Sequence, residues 1–120
     1  MIRDLEHPNI VPYFGTFETG SYIVIIMQYI DGKPILDLSS QEKIPAAKRR
    51  YLMSQLLGIL SYLKNKRVVH RDIKPDNILV GKDLKLTLLD FGVSCLMCDL
   101  EGTTSKRVGT LGYVAPEILL

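Results

Sequence analysis

Cysteine is scarce in this chain of 120 residues: there are two, Cys95 and Cys98, beside two histidines, His7 and His70. Two thiolates cannot close a tetrahedral zinc site, and the histidines stand far from them in sequence. The cysteines have C-x-x-C spacing, but their flanks are Leu96, Met97, Asp99 and Glu101, which do nothing to lower a thiol pKa. They read as structural or incidental. An excess of charge of one sign is lacking too. The 15 basic and 13 acidic residues leave a net charge of +2, which makes no case for nucleic acid or a membrane as partner. No long apolar run occurs. The longest lies near residues 22–27, far short of the ~20 residues that a membrane-spanning helix needs. The start, Met1-Ile2-Arg3-Asp4-Leu5-Glu6, is charged too early for the apolar core of a secretory signal. A cytoplasmic or nuclear soluble protein is the expectation.

What is present suits one globular unit. Residues are 47% hydrophobic and 23% charged, and a chain of this size buries about two thirds of its unfolded surface. Residues 1–6 read as the end of a helix, broken by His7-Pro8-Asn9 because proline disfavours helix at the residue before it. Residues 10–18 and 22–30 are rich in Val, Ile, Tyr and Phe around a turn with Gly20, which predicts a β-hairpin. Asp31-Gly32-Lys33-Pro34 predicts a break and 35–43 a short helix. Pro45 then opens a long predicted helix, 46–66. In it Leu52, Leu56, Ile59, Leu60 and Leu63 fall at i, i+4, i+7, i+8 and i+11, one apolar stripe. Lys64, Lys66 and Arg67 suit the negative end of its dipole. Two short strands, 78–80 and 85–89, are predicted around Gly81-Lys82-Asp83. Residues 90–112 form a polar stretch whose length points to function.

The chemistry-bearing residues are His70-Arg71-Asp72-Ile73-Lys74-Pro75-Asp76-Asn77, then Asp90-Phe91-Gly92, then Ala115-Pro116-Glu117. On these three motifs, in this order, the chain resembles the protein kinase family. A lone HxD or DxG is usually a turn; the joint pattern is highly specific. The resemblance extends over essentially the whole chain. His7-Pro8-Asn9-Ile10-Val11 is similar to the family's segment after its regulatory helix, and Met27-Gln28-Tyr29-Ile30 to its interlobe hinge.

The resemblance implies an α+β fold, with residues 1–30 as the N-lobe remnant and hinge and 31–120 as the C-lobe core through the activation segment. It implies ATP and Mg2+ as cofactors, and a protein serine or threonine hydroxyl as the acceptor. Phosphoryl transfer needs positioning and charge neutralisation more than covalent help. Asp72 would accept the hydroxyl proton, and Lys74 would neutralise the transferred phosphate. Asn77 and Asp90 offer the hard oxygen ligands that magnesium prefers. Met27 stands at the family's gatekeeper position and Leu79 at the floor beneath adenine; both are expected to be core as well. Gln28 and Ile30 would offer backbone hydrogen bonds to adenine. His70 and Phe91 would stack on each other. Asp72-Ile73-Lys74-Pro75 resembles the serine/threonine branch, and Thr110 the threonine that contacts the catalytic aspartate. Thr104 and Ser105 fall where family members are often phosphorylated, and a phosphate there would pair with Arg71.

The family's glycine-rich loop and its strand lysine have no counterpart in this sequence, nor has the arginine that would pair with Glu117. The resemblance therefore implies a partial catalytic domain. Leu52, Leu56, Ile59 and Leu63 are then expected to lie exposed, awaiting further helices. The alternative readings are a kinase-like binding module without transfer activity, and a non-functional gene remnant.

Overall fold

The computed structural model describes residues 2–41, 44–97 and 108–119. Cys98, Thr104 and Ser105 lie outside the described residues. After a 3-10 turn (Ile2–Asp4), strand β1 (Tyr13–Thr19) pairs with β2 (Tyr22–Met27) in an antiparallel hairpin around Gly20 and Ser21. Next come β3 (Gly32–Pro34), helix α1 (Ile35–Gln41) and helix α2 (Ala46–Asn65). Short strands β4 (Val68–Val69), β5 (Ile78–Gly81), β6 (Leu86–Leu88) and β7 (Cys95–Leu96) follow, and then a four-residue helix, α3 (Pro116–Leu119). The mixture is α+β. No helix among the described residues is long and apolar enough to cross a membrane.

The hairpin is shorter than the sequence predicts, because residues 10–12 leave it. Pro12 accepts a hydrogen bond from Gln28 N–H at 2.9 Å but has no N–H to return. The chain before it runs beside β6 instead: Leu88 N–H donates to Asn9 C=O at 2.8 Å, and Val11 N–H to Leu88 C=O at 3.1 Å. Residues 32–34, expected as a break, form an edge strand on β5 with register Gly32↔Gly81, Lys33↔Val80 and Pro34↔Leu79. An edge tolerates the proline. Gly32 permits the approach, since a Cβ there would lie 3.0 Å from Val80 O. The sheet order is β3-β5-β6. The long polar stretch also hides a strand, because β7 pairs with β4.

Helix α2 lays its stripe on β4 and β6. Leu52, Ile59 and Leu63 are buried with Ile78, Val80, Leu86 and Leu88, and Leu56 is half-buried against them. This overturns the expectation of an exposed stripe: the strands that follow α2 in the same chain already cover it. Leu60 is the member that fails, at 39% exposure. At 3.6 residues per turn it stands about 80° around the helix from Leu52, at the stripe's margin. The exposed apolar side chains of α2 are instead Tyr51, Met53, Leu57 and Leu60. At its far end the helix is tied to the start of the chain, where Glu6 N–H donates to the Tyr62 hydroxyl at 2.8 Å.

Candidate active site

The site is assembled on the loop between β4 and β5. Its bracket is His70, which is buried. Nε2–H donates to Leu89 C=O at 3.0 Å, and Nδ1 accepts from Asp72 N–H at 3.2 Å. Both ring nitrogens are used only by the neutral imidazole in this tautomer. Burial pushes the His70 pKa down, which keeps it neutral. Its ring meets buried Phe91 edge-on, with centroids 4.6 Å apart. One histidine thus joins the β4–β5 loop to the segment leaving β6, and the expected stacking pair is in contact.

Arg71 has φ 70, and its Nε–H donates to Val93 C=O. This left-handed residue turns the chain so that Asp72 points toward residues 108–113. Gly109 lies against the same turn with φ +121, and a Cβ there would stand 2.9 Å from Arg71 O.

Four side chains then converge. Thr110 Oγ1–H donates to Asp72 Oδ1 at 2.6 Å, and Lys74 Nζ donates to Thr110 Oγ1 at 2.7 Å. Lys74 Nζ also lies 3.1 Å from Asp72 Oδ2. Asn77 Nδ2 donates to Asp72 C=O at 2.9 Å and to Asp72 Oδ2 at 3.2 Å. Asp72 retains 12% exposure of its side chain. The Thr110 hydroxyl, then Lys74 and Asn77, hold its carboxyl below the usual carboxylate range against a smaller opposing effect of desolvation. Asp72 is therefore a carboxylate at neutral pH.

Asp90 comes to this cluster along the β-ladder. β5 and β6 pair with register Ile78↔Leu88, and Leu89 N–H donates to Asn77 C=O at 2.8 Å. Asp90 is the next residue. It is exposed with φ 52, and its Oδ1 accepts from Gly92 N–H at 3.0 Å. The donor set suits magnesium: one carboxylate and one amide, both hard oxygens, leave coordination positions for water and phosphate. The Asn77 amide nitrogen is spent on Asp72, so its oxygen is the atom left for a cation. Among the described residues no cluster of three or more His, Cys, Asp or Glu side chains forms a dedicated metal cage. Two protein ligands with the rest from substrate is the arrangement these residues could provide.

The residues expected to face a nucleotide are more dispersed. Met27 ends β2 with 42% exposure, so it is not core. The hairpin's side chains stand out from the sheet, with Ile23, Ile25 and Ile26 exposed as well. Gln28 commits its N–H to Pro12, which leaves its C=O as the group available to adenine. Ile30 is half-buried. Leu79 lies opposite Thr87 and Pro34 in the sheet and is half-buried, whereas its neighbours Ile78 and Val80 are buried on the other face. The link from Lys74 to Thr110 was not legible from the motif, which places Lys74 only near a phosphate. Two further residues, Asn9 and Gln55, form a polar knot behind β6 that a reading of motifs passes over. Their signal is two amide side chains set among apolar residues.

Comparison with known proteins agrees with this geometry. The family model for the protein kinase domain matches residues 1–120. The chain belongs to the protein kinase domain family. It is 35% identical over 120 residues to serine/threonine-protein kinase cds1 of Schizosaccharomyces pombe, covering 99% of this chain and 26% of that protein. It is 34% identical over 119 residues to serine/threonine-protein kinase 36 of Pongo abelii, covering 99% of this chain and 9% of that protein, and equally to the protein of that name from Mus musculus. The chain thus spans about a quarter or less of these relatives.

Proposed function

We propose that this chain, within its full-length protein, transfers the terminal phosphoryl group of ATP to a serine or threonine hydroxyl of a protein substrate. The observation that carries the reading is the Thr110–Asp72–Lys74–Asn77 cluster, with its ionised carboxylate held from three sides. The serine/threonine branch is supported by the Lys74–Thr110 contact and by the names of the relatives. Residues 1–30 then belong to the smaller lobe and hinge, and 31–120 to the larger lobe.

Each carboxylate oxygen has two acceptor positions. Asp72 Oδ2 uses both, on Lys74 and Asn77, whereas Oδ1 uses one, on Thr110. The second position on Oδ1 is where a substrate hydroxyl would dock. Its oxygen attacks the terminal phosphorus while the bond to the ADP oxygen breaks, and the departing oxygen keeps the electron pair. The hydroxyl proton passes to Asp72. A carboxylate with a lowered pKa is a weak base, but phosphoryl transfer through a loose transition state asks for orientation first. Lys74 neutralises charge on the transferred group. Gln28 C=O and the Ile30 backbone would hold adenine, with Leu79 beneath it and Met27 beside it. Asn77 and Asp90 would hold Mg2+, which supplies charge neutralisation across the phosphates when bound.

Asp72→Asn in the full-length protein tests this. Serine and threonine phosphorylation of a generic basic protein should fall by about 10²–10⁴-fold, with the dissociation constant for ATP nearly unchanged. Full turnover by Asp72→Asn would refute the assignment.

A further inference from the structure

Strand β6 is the element that delivers Asp90, and its outer edge is finished in an unusual way. Toward β5 the hydrogen-bonded positions are 77 with 89 and 81 with 85, since Leu89 N–H donates to Asn77 C=O at 2.8 Å and Gly81 N–H to Lys85 C=O at 2.9 Å. Alternation along an antiparallel ladder turns the backbone groups of Leu86 and Leu88 the other way. Those groups are buried and need partners. Leu88 finds them in the backbone of Asn9 and Val11. Among the described residues Leu86 finds none in any backbone. Its N–H donates to Gln55 Oε1 at 3.0 Å, and its C=O accepts from Asn9 Nδ2 at 2.7 Å. Asn9 Nδ2 also donates to Gln55 Oε1 at 2.8 Å, and Gln55 Nε2 donates to Leu84 C=O at 2.8 Å. Two side chains from distant parts of the chain complete a strand edge that no strand among the described residues covers.

The turn they hold is strained. Asp83 and Leu84 have φ 56 and 57, a region that a bulky residue such as leucine rarely adopts. Gln55 grips that turn at the Leu84 carbonyl and the strand at the Leu86 amide. Four residues beyond Leu86 is Asp90. One residue before Asp90, Leu89 is bonded both to Asn77 C=O and to His70 Nε2.

We propose that Gln55 and Asn9 are positioning residues: they set the register of β6 against α2, and through it the placement of Asp90 relative to Asn77 and Asp72. The proposal rests on the phosphoryl-transfer reading for its consequence, not for its geometry. Gln55 touches no substrate and acts through β6. Its loss leaves the buried Leu86 amide and the half-buried Leu84 carbonyl without their side-chain partners, and frees β6 to slide, or to fray from its Leu86 end toward Leu89.

Two measurements on the full-length protein test this, with Leu63→Ala as a control that destabilises the core away from the knot. Amide hydrogen exchange is the first. In Gln55→Leu, exchange at Leu88 and Leu89 should rise about tenfold more than at Ile59 in α2, whereas Leu63→Ala should raise all three together. Mn2+ binding in the presence of a non-hydrolysable ATP analogue, read by electron paramagnetic resonance, is the second. Gln55→Leu should bind Mn2+ about tenfold more weakly, and Leu63→Ala should bind it as wild type does. Gln55→Glu keeps both acceptor contacts but turns a carboxylate oxygen on the Leu84 C=O where a donor stood, so it should show the same pattern; it serves if the leucine variant does not fold. Equal exchange ratios in Gln55→Leu and Leu63→Ala would overturn the clamp, and unchanged Mn2+ affinity with frayed Leu89 would overturn its link to Asp90. Failure of the wild-type protein to take up Mn2+ would instead overturn the phosphoryl-transfer reading and this consequence with it, leaving the exchange ratios to judge the clamp.

Discussion

Replacing Thr110 with valine would keep the side chain's shape and remove one hydroxyl. That hydroxyl has two duties, donating to Asp72 Oδ1 at 2.6 Å and accepting from Lys74 Nζ at 2.7 Å. It is also the largest cause of the lowered Asp72 pKa. Valine therefore raises that pKa, and the added methyl desolvates the carboxylate in the same direction. A hydrogen bond to a charged group contributes about 1.5–3 kcal/mol. Asp72 keeps some exposure, and Lys74 and Asn77 remain beside it, so the low end applies, about 1.5 kcal/mol or roughly tenfold. A carboxylate with a depressed folded-state pKa adds stability above its unfolded pKa, and the gain is lost as pH falls through the folded value. The stability gap between wild type and Thr110→Val should then be widest near neutrality and close in strong acid. The acid limb of the kcat profile should move to higher pH, and kcat/KM at neutral pH should fall about tenfold. The assays are a pH–rate profile and thermal unfolding at neutral pH and in acid well below the ordinary Asp pKa. An acid limb that stays in place or moves lower would refute the reasoning.

Ile59→Ala should destabilise by about 2–5 kcal/mol, since Ile59 has no exposed surface, whereas Leu57→Ala should change stability by no more than about 0.5 kcal/mol; thermal unfolding of the two variants compares them directly. His70 is neutral in the folded state with a lowered pKa, so the unfolded chain takes up its proton first and stability should decline as pH falls below the ordinary histidine value. His70→Gln should flatten that decline between pH 7 and pH 5, and an unchanged slope would show that another group causes it.

The sequence carried the chemistry further than the architecture. Asp72, Lys74, Asn77 and Thr110 were singled out from short motifs, and the structure brings their atoms within hydrogen-bonding distance of one another. The hairpin, the long helix and both strands around Gly81 were also legible, because periods of 2 and 3.6 are local properties of the chain. Gly32–Pro34 and β7 were not, since each is a strand only by virtue of a partner strand distant in sequence. The fate of the α2 stripe is not legible in the sequence for a related reason. Periodicity identifies an apolar face but not its cover, and β4 and β6 provide that cover from later in the chain.

Sequence alone thus determined which groups this protein brings to its site, since the chemistry of a carboxylate, an ammonium, an amide and a hydroxyl belongs to the residue types themselves. Only tertiary structure decided how they are held. The neutral tautomer of His70, the lowered pKa of Asp72 and the clamp of Gln55 and Asn9 on β6 all depend on distances between segments far apart in sequence. Hydrogen bonds and desolvation act over a few ångströms, and that proximity exists only once the chain has folded.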